Sequence, residues 1–423
     1  GHVWSWGLND KGQLGRSGDQ SKPAMISGVD DIEFAELGTG ETSSYAVDNN
    51  GNVYAFGNEI GGSGTSFGGT PILLSLLNRT VSISGGYALK SDETVWVVPA
   101  DIKETVVLRK SDLANITELS SSNNHTLALD EDGALWTFGN SDYGQLGDGE
   151  KKGRNNARKI TEANDNTALP SLKRISAGYR YSLALSKDGK VYAWGLNDKG
   201  QVGNENVYSE TLKPAQVSTY PNVGSDKIEK IAAGYGHSVT SKVDGYVWSF
   251  GWNNYSQLGN EDTDDSYVPV IAGKNSISAV PNSIKLPVDA NNDVDIKDMI
   301  TVSESESINL LKDGKKLGAY VINSKNSDVL KTNGADTKVR ALKEGVAIVE
   351  VTSATSSAKG YLTVVVTGKT AYPMIAVGNT HTVALKADGT LWTWGNNSNG
   401  QLGHDAAGGA IKEVVISADG SQP

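Results

Sequence analysis

Apolar and polar side chains alternate in many short stretches of this 423-residue chain, and this alternation predicts β-strands. One example is Ser182-Leu183-Ala184-Leu185, which is followed by Asp188-Gly189 and then by Val191-Tyr192-Ala193-Trp194-Gly195. An Asp-Gly dipeptide tolerates the positive φ angles of a tight hairpin turn, so the two stretches predict a β-hairpin. The second strand carries apolar residues on both faces, which indicates that neighbouring sheets cover it from both sides.

The same hairpin recurs along the chain. Its second strand ends in Trp-Gly or Phe-Gly at Gly7, Gly57, Gly139, Gly195, Gly251 and Gly395, and a degenerate copy is Thr94-Val95-Trp96-Val97-Val98. A single hairpin is not stable in water, so the seven copies must bury one another. The repeat therefore predicts a solenoid or a closed ring.

The two ends of the chain decide between these arrangements. Residues 413–418 match the partner strand of the preceding copy, so we expect them to pair with residues 3–6. This pairing would close the ring and remove exposed sheet edges. In a second register, residues 412–415 correspond to residues 213–217, and the ring then lacks its last hairpin strand. We favour the first register, which predicts an all-β, seven-bladed β-propeller closed by the N- and C-terminal strands.

The repeat unit resembles that of the regulator of chromosome condensation family. The shared unit is Gly-x-x-His-Ser-x-Ala-Leu, followed by Trp-Gly-x-Asn-x-x-Gly-Gln-Leu-Gly, and it covers residues 1–273 and 372–420. The family fold that this resemblance implies is a seven-bladed propeller. The second copy departs from the unit at residues 61–64, and the third has Asp92-Glu93 in place of Asp-Gly, so we expect shorter loops there.

One copy is much longer than the others, because residues 274–371 interrupt the repeat. Glycine and tryptophan become rare there, and Val- and Thr-rich stretches at 346–351 and 361–366 predict a β-sandwich. Residues 281–286, 326–329 and 340–347 resemble a bacterial immunoglobulin-like domain of group 2. The expected domains are thus a propeller formed by 1–273 and 372–423, and an immunoglobulin-like insert at 274–371.

Composition excludes several classes of function. The chain has 38 Lys and Arg against 49 Asp and Glu, a net charge of −11, and this argues against nucleic acid and anionic membranes as partners. It has no cysteine, so disulfides, zinc–thiolate sites and thiol catalysis are excluded. No apolar run is long enough for membrane insertion. Because the chain starts inside a repeat at Gly1, we expect it to be a soluble piece of a longer protein.

No catalytic motif is found in the sequence, and we expect neither an enzyme nor a cofactor. His125, His237 and His381 share one repeat position, and we expect each to hold its hairpin through hydrogen bonds to neighbouring backbone. Asp289 to Asp298 alternate oxygen-bearing side chains as a calcium loop does, yet Ile300 stands where the loop needs Glu. A solvated turn is the favoured interpretation there, and calcium binding stays open.

Variable residues just before the repeat histidine suggest a binding face. If the ring closes, these turns lie at equivalent places around it, and their aromatic and amide side chains suit recognition. Trp252 also stands out, since the sister copies carry Leu or Asn at that position. The candidate ligand-binding residues are Asn123, Asn124, Tyr179, Arg180, Tyr235, Trp252, Tyr255, Asn379 and Thr380. A set of divergent loops without function is the alternative.

These observations predict a non-catalytic binding or display module, expected to be a monomer. The resemblance implies protein partners, since family members bind small GTPases and chromatin, and related bacterial propellers inhibit β-lactamases; the acidic charge argues against chromatin here. The resemblance of the insert implies a bacterial surface or secreted protein, hence an extracellular or cell-surface location. The alternative is a carbohydrate-binding module in which Trp252 and the tyrosines stack on sugar rings.

Overall fold

The structure is a computed structural model of the chain. It describes residues 1–40, 42–58, 66–99, 108–122, 125–204, 209–217, 220, 227–242, 247–260, 262–272, 284–286, 294–295, 320–324, 330–332, 338–341, 345–353, 359–366, 374–385, 391–404 and 411–414.

The repeats form antiparallel sheets in which each strand pairs with the next one along the chain. Sheet 1 has only two strands, β1 (Trp4–Ser5) and β2 (Ala24–Met25). Sheet 2 comprises β3 (Phe34–Thr39), β4 (Ser43–Asp48), β5 (Val53–Asn58) and β6 (Ser66–Leu73). Sheet 3 comprises β7 (Thr80–Ser84), β8 (Tyr87–Lys90) and β9 (Val95–Val97).

The remaining sheets of the ring have four strands each. Sheet 4 comprises β10 (Ile116–Ser121), β11 (His125–Asp130), β12 (Leu135–Gly139) and β13 (Arg154–Ile160). Sheet 5 comprises β14 (Leu172–Ala177), β15 (Tyr181–Ser186), β16 (Val191–Leu196) and β17 (Glu210–Gln216). Sheet 6 comprises β18 (Ile228–Ala233), β19 (His237–Lys242), β20 (Val247–Gly251) and β21 (Ser266–Ile271).

Two further sheets lie within residues 284–366, inside the predicted insert. One has the order β22 (Ile284–Leu286), β28 (Lys359–Val366), β27 (Gly345–Ser353), β24 (Tyr320–Ser324), and the other β23 (Val294–Asp295), β26 (Lys338–Ala341), β25 (Leu330–Thr332). The strands predicted at 346–351 and 361–366 fall inside β27 and β28. The sandwich itself stays a prediction. Most of the possible calcium loop lies outside the described residues.

Sheet 7 follows the insert and comprises β29 (Met374–Val377), β30 (His381–Leu385), β31 (Leu391–Gly395) and β32 (Lys412–Val414). The predicted hairpin is confirmed in sheet 5, where Tyr181 pairs with Gly195 and Gly189 forms the turn at φ +91°. The hairpin turns predicted at 244–245 and 388–389 lie outside the described residues.

The core is divided among the interfaces between successive sheets. Leu183 and Val191 of sheet 5, for example, form one buried cluster with Ile228 and Phe250 of sheet 6. This explains why the repeat strands are apolar on both faces. The first strands of successive sheets also touch, because the Ala233 amide donates to Ser176 Oγ at 2.9 Å. The fold is therefore an all-β propeller.

Of residues 413–418, predicted to pair with residues 3–6, the structure describes 413 and 414, and for these two the prediction is wrong; residues 415–418 lie outside the described residues. Trp4 pairs with Met25 in sheet 1, whereas Lys412 pairs with Thr393 at the outer edge of sheet 7. The second register is the one observed. Its physical reason is that the Trp-Gly strand of each full sheet needs an outer partner, and Lys412–Val414 takes this place beside β31.

Side-chain packing brings the first and last sheets together without this pairing. Trp6 Nε1 donates to the Gln401 carbonyl at 3.0 Å, as Trp194 Nε1 donates to the Gln145 carbonyl at 2.9 Å between sheets 4 and 5. Six sheets are blades with three or four strands, one fewer than predicted, because sheet 1 has only two strands among the described residues. Leu37 is accordingly 57% exposed, whereas its counterpart Ile175 is 5% exposed.

No helix in the described part of the chain is long and apolar enough to cross a membrane.

Candidate functional site

In each full blade, two kinds of loop lie next to each other at the same end of the strands. One is the turn between the first and second strands, and the other is the loop that follows the third strand. They adjoin because His237, the first residue of β19, pairs with Gly251, the last residue of β20. Side chains from the turn at 234–236 and from the loop beginning at Trp252 therefore share one surface.

The turns of adjacent blades also lie side by side. The Tyr179 amide donates to the Gly234 carbonyl at 3.1 Å, which joins the turn of sheet 5 to the turn of sheet 6. This contact places the rings of Tyr179 and Tyr235 in a stack, with centroids 4.3 Å apart and planes 18° from parallel. Such offset stacking is a favourable arrangement of two aromatic rings.

Trp252 and Tyr255 extend this stack outward along sheet 6. The Trp252 ring lies 6.2 Å from that of Tyr235, and the Tyr255 ring meets the Trp252 ring edge-on at 5.5 Å. The Trp252 amide donates to the Gly236 carbonyl at 2.8 Å, which fixes the loop against the turn. Tyr235 and Tyr255 are 43% and 44% exposed, so a large aromatic surface faces the solvent.

Arg180 continues the array to the neighbouring sheet 4. Its guanidinium lies over the rings of both Tyr143 and Tyr179, 4.8 Å from each centroid. It donates to the Tyr143 hydroxyl at 3.1 Å and to the Tyr179 hydroxyl at 3.4 Å. Cation–π contacts of this kind hold the guanidinium in one orientation. We call the set Tyr143, Tyr179, Arg180, Tyr235, Trp252 and Tyr255 the aromatic ridge.

The repeat scaffold holds the outer members of the ridge in place. The Tyr143 amide donates to Gln145 Oε1 at 2.9 Å, and the Tyr255 amide donates to Gln257 Oε1 at the same distance. Gln145 comes from the Gly-Gln-Leu-Gly segment of the repeat and Gln257 from the equivalent Ser-Gln-Leu-Gly segment, and both are buried. The loops that carry the exposed rings are therefore braced from below.

The structure brings together five of the predicted binding residues. They are Tyr179, Arg180, Tyr235, Trp252 and Tyr255. Asn379 and Thr380 lie in the equivalent turn of sheet 7, where the Thr380 carbonyl accepts from the Asn396 amide, and they are not part of the ridge. Asn123 and Asn124 lie outside the described residues.

Sequence reasoning missed Tyr143. It occupies the repeat position of Tyr255, where the sister copies carry Lys11, Lys199 and Asn399. An aromatic residue at an otherwise polar repeat position is the signal that could have identified it.

The repeat histidines act between blades. His125 Nε2 forms a hydrogen bond with Ser182 Oγ of the next blade at 2.7 Å, and its Nδ1 forms one with Ser122 Oγ at 3.0 Å. The expectation of bonds to backbone is therefore wrong for His125. Because burial disfavours the charged ring, it lowers the pKa of both His125 and His237 to about 3. Both rings are neutral at pH 7.

The fold and the repeat agree with a known family. The profile of the RCC1-like domain matches residues 1–321, and that of the regulator of chromosome condensation (RCC1) repeat matches residues 375–401. The chain therefore belongs to the RCC1-like domain family.

Curated relatives include two eukaryotic proteins at 30% identity. One is the ultraviolet-B receptor UVR8 of Arabidopsis thaliana, similar over 64% of this chain and 53% of its own length. The other is the guanine nucleotide exchange factor SRM1 of Saccharomyces cerevisiae, similar over 61% of this chain and 54% of its own length. The chain thus spans about half the length of these relatives.

A solved structure with the same fold is Prp20p of Saccharomyces cerevisiae. It is 17% identical with a TM-score of 0.61, and the match covers 99% of this chain and 86% of Prp20p. That structure was described together with the binding of Prp20p to Gsp1p and histones.

Proposed function

We propose that this chain is a non-catalytic binding module that takes a protein partner on the face carrying the aromatic ridge. The observation that carries this proposal is the continuous contact of four aromatic rings from Tyr179 to Tyr255, two of them more than two-fifths exposed. Tyr, Trp and Arg are the residue types that dominate binding energy at protein interfaces. Their rings also lose little conformational entropy on binding.

The rigidity of the ridge supports this proposal. Its loops are fixed by backbone bonds such as that from the Trp252 amide to the Gly236 carbonyl, and by the buried Gln145 and Gln257. A surface that is already ordered avoids part of the entropic cost of association.

The relatives favour a protein as the partner. UVR8 and SRM1 are a receptor and an exchange factor by name, and Prp20p was described with its binding to Gsp1p and histones. The buried histidines do not favour catalysis, because their rings lie between blades and bond to hydroxyl groups.

The finer architecture and the setting are part of the proposal. We propose a ring with seven positions, of which sheet 1 fills one with two strands, and an immunoglobulin-like sandwich at 274–371. The Val- and Thr-rich strands β27 and β28 and the resemblance to bacterial immunoglobulin-like domains support the sandwich. From the same resemblance we propose that the chain is part of a bacterial surface protein or of a secreted protein.

Affinity capture tests the proposed function. The full chain is immobilised as the wild type, as Tyr235→Ala, as Trp252→Ala, and as Leu73→Ala, which removes an exposed apolar side chain from the outer strand of sheet 2. We expect specific proteins to be retained by the wild type and by Leu73→Ala, and to be depleted about tenfold or more on both ridge variants.

Two results would contradict the proposal. One is the same set of captured proteins on all four baits. The other is a glycan that binds the wild type on an array and does not bind Trp252→Ala, while no captured protein depends on Trp252. That result would support the carbohydrate alternative.

A further inference from the structure

Arg180 is an ordered cation whose charge no carboxylate of the described residues neutralises. Other partly buried arginines are matched: Arg154 pairs with Asp148, and Arg16 donates to the backbone carbonyls of Ser5, Asp19 and Lys22. Arg180 instead contacts two tyrosine rings and their hydroxyl groups. A charge that is held in place and that no carboxylate of the described residues pairs with is suited to an external anion.

Hydrogen bonds to the described residues use only part of the donors of Arg180. A guanidinium has five N–H groups in one plane, and the bonds to Tyr143 and Tyr179 engage one on each terminal nitrogen. The stacked rings restrict the rotation of this plane, so the remaining N–H groups keep a fixed direction. A planar fork of this kind matches the two oxygens of a carboxylate.

The aromatic rings around Arg180 imply that the ligand also carries an apolar group. Tyr179 is shared between the cation and the aromatic stack, so the charged and apolar parts of the ridge are continuous. In a bound ligand, the group that bonds to Arg180 therefore lies next to the group that covers Tyr235 and Trp252.

We propose that the partner protein places an Asp or Glu side chain on Arg180 and an adjacent apolar side chain on Tyr235 and Trp252. This inference rests on the proposed function and specifies the chemistry of the partner. A phosphate group also fits a guanidinium, but the net charge of −11 repels a doubly charged group more strongly than a carboxylate. The apolar continuation of the ridge also favours a protein side chain.

A double-mutant cycle with selected peptides tests this inference. Random 12-residue peptides are selected on the wild-type full chain after removal of those that bind the Trp252→Ala variant. The strongest peptide is synthesised as selected and with its acidic residues changed to the corresponding amides. Both forms are titrated against the wild type, Arg180→Gln and Arg158→Gln, the last being an exposed arginine on β13 that pairs with Asp148.

We expect the change from acid to amide to weaken binding about tenfold on the wild type and on Arg158→Gln, the effect of one charge-assisted bond. On Arg180→Gln we expect both peptide forms to bind within about twofold of each other, because the acid has lost its partner.

The inference would be overturned if the selected peptides lack acidic residues, or if the acid-to-amide loss persists on Arg180→Gln. It would also be overturned if a phosphorylated form of the peptide binds the wild type more tightly than the acidic form and loses this advantage on Arg180→Gln. In these cases the proposed function stands, since the peptides still require Trp252. If no peptide requires Trp252, the proposed function fails, and the inference fails with it.

Discussion

Tyr143 and Tyr255 show how single substitutions place aromatic side chains on the surface of a structural repeat. Both occupy one position of the loop after the third strand, and at both the backbone amide donates to the glutamine two residues later. Lys11, Lys199 and Asn399 make the same backbone contact in sister copies. The backbone is therefore constant, and the side chain is free to vary without loss of the fold.

The histidines give a prediction for pH. The lowered pKa of His125 and His237 means that the unfolded chain binds more protons than the folded chain between about pH 3 and pH 6.5. Stability must then fall as the pH is lowered from 7 towards 4, by about 2 kcal/mol for each histidine at pH 5. Thermal unfolding of the wild type and of His125→Gln at pH 7, 6 and 5 measures this.

We expect the thermal-unfolding midpoint of the His125→Gln variant to depend less steeply on pH than that of the wild type, although the variant is less stable at pH 7. Equal slopes for the two proteins would show that His125 is not the source of the acid sensitivity.

Glycine at the end of the third strand has a defined role in joining the two kinds of loop. Gly251 has a φ of +110°, and a Cβ there would lie 2.4 Å from the Gly236 carbonyl oxygen. Gly69, on β6, has open surroundings, with the nearest atom 4.0 Å from such a Cβ. The two glycines therefore differ in what an added methyl group would meet.

We expect Gly251→Ala to lower the free energy of unfolding by about 2 kcal/mol or more, because both the φ angle and the carbonyl resist the change. Gly69→Ala should change it by less than about 1 kcal/mol. Chemical denaturation of both variants checks this, and equal losses would contradict the assigned role of Gly251.

Hairpins could be predicted from sequence because their cause is local. Alternation around Asp188-Gly189 and the apolar character of both faces of the Trp-Gly strand determine β15, β16 and their burial. The terminal strand could not be assigned in this way. The pattern of the terminal residues fits two different positions and favours the wrong one, because the choice depends on which Trp-Gly strand still lacks its outer partner in the folded ring.

The aromatic ridge was only partly predictable for a related reason. Tyr179 and Tyr235 share a repeat position that other copies fill with Asn or Glu, and Arg180, Trp252 and Tyr255 differ from most of their counterparts, which marks these residues individually. Their assembly depends on contacts between blades, such as the Tyr179 amide with the Gly234 carbonyl and Arg180 with Tyr143. A single sequence does not contain these distances, so the repeat pattern can mark Tyr143 as unusual but cannot place it beside Arg180.

At the scale of the whole molecule, side-chain packing joins the first and last sheets of the ring in the part of the chain that the structure describes. The Trp6 indole bonds to the Gln401 carbonyl, and Gly403 lies against the same indole. The Trp394 indole makes the corresponding bond to the Gln257 carbonyl between sheets 6 and 7. Sheet 1 therefore docks on sheet 7 as a blade docks on its predecessor.

We expect Trp6→Ala to loosen this junction selectively, because it removes a partly buried side chain and its hydrogen bond. Hydrogen–deuterium exchange should rise in β31 and in residues 396–403, while β15 and β16 of sheet 5, two sheets before sheet 7 along the chain, should exchange as in the wild type. A uniform increase around the ring, or none at all, would contradict closure by this contact.

The central claim is that a protein partner binds on the aromatic ridge. Its most direct test is hydrogen–deuterium exchange of the full chain, free and saturated with a protein captured by it. We predict slower exchange at residues 178–180, 234–236 and 252–256 in the complex, and unchanged exchange at the hairpin turns 131–133 and 187–189 at the other end of the strands. Protection of those turns together with an unprotected ridge would contradict the account.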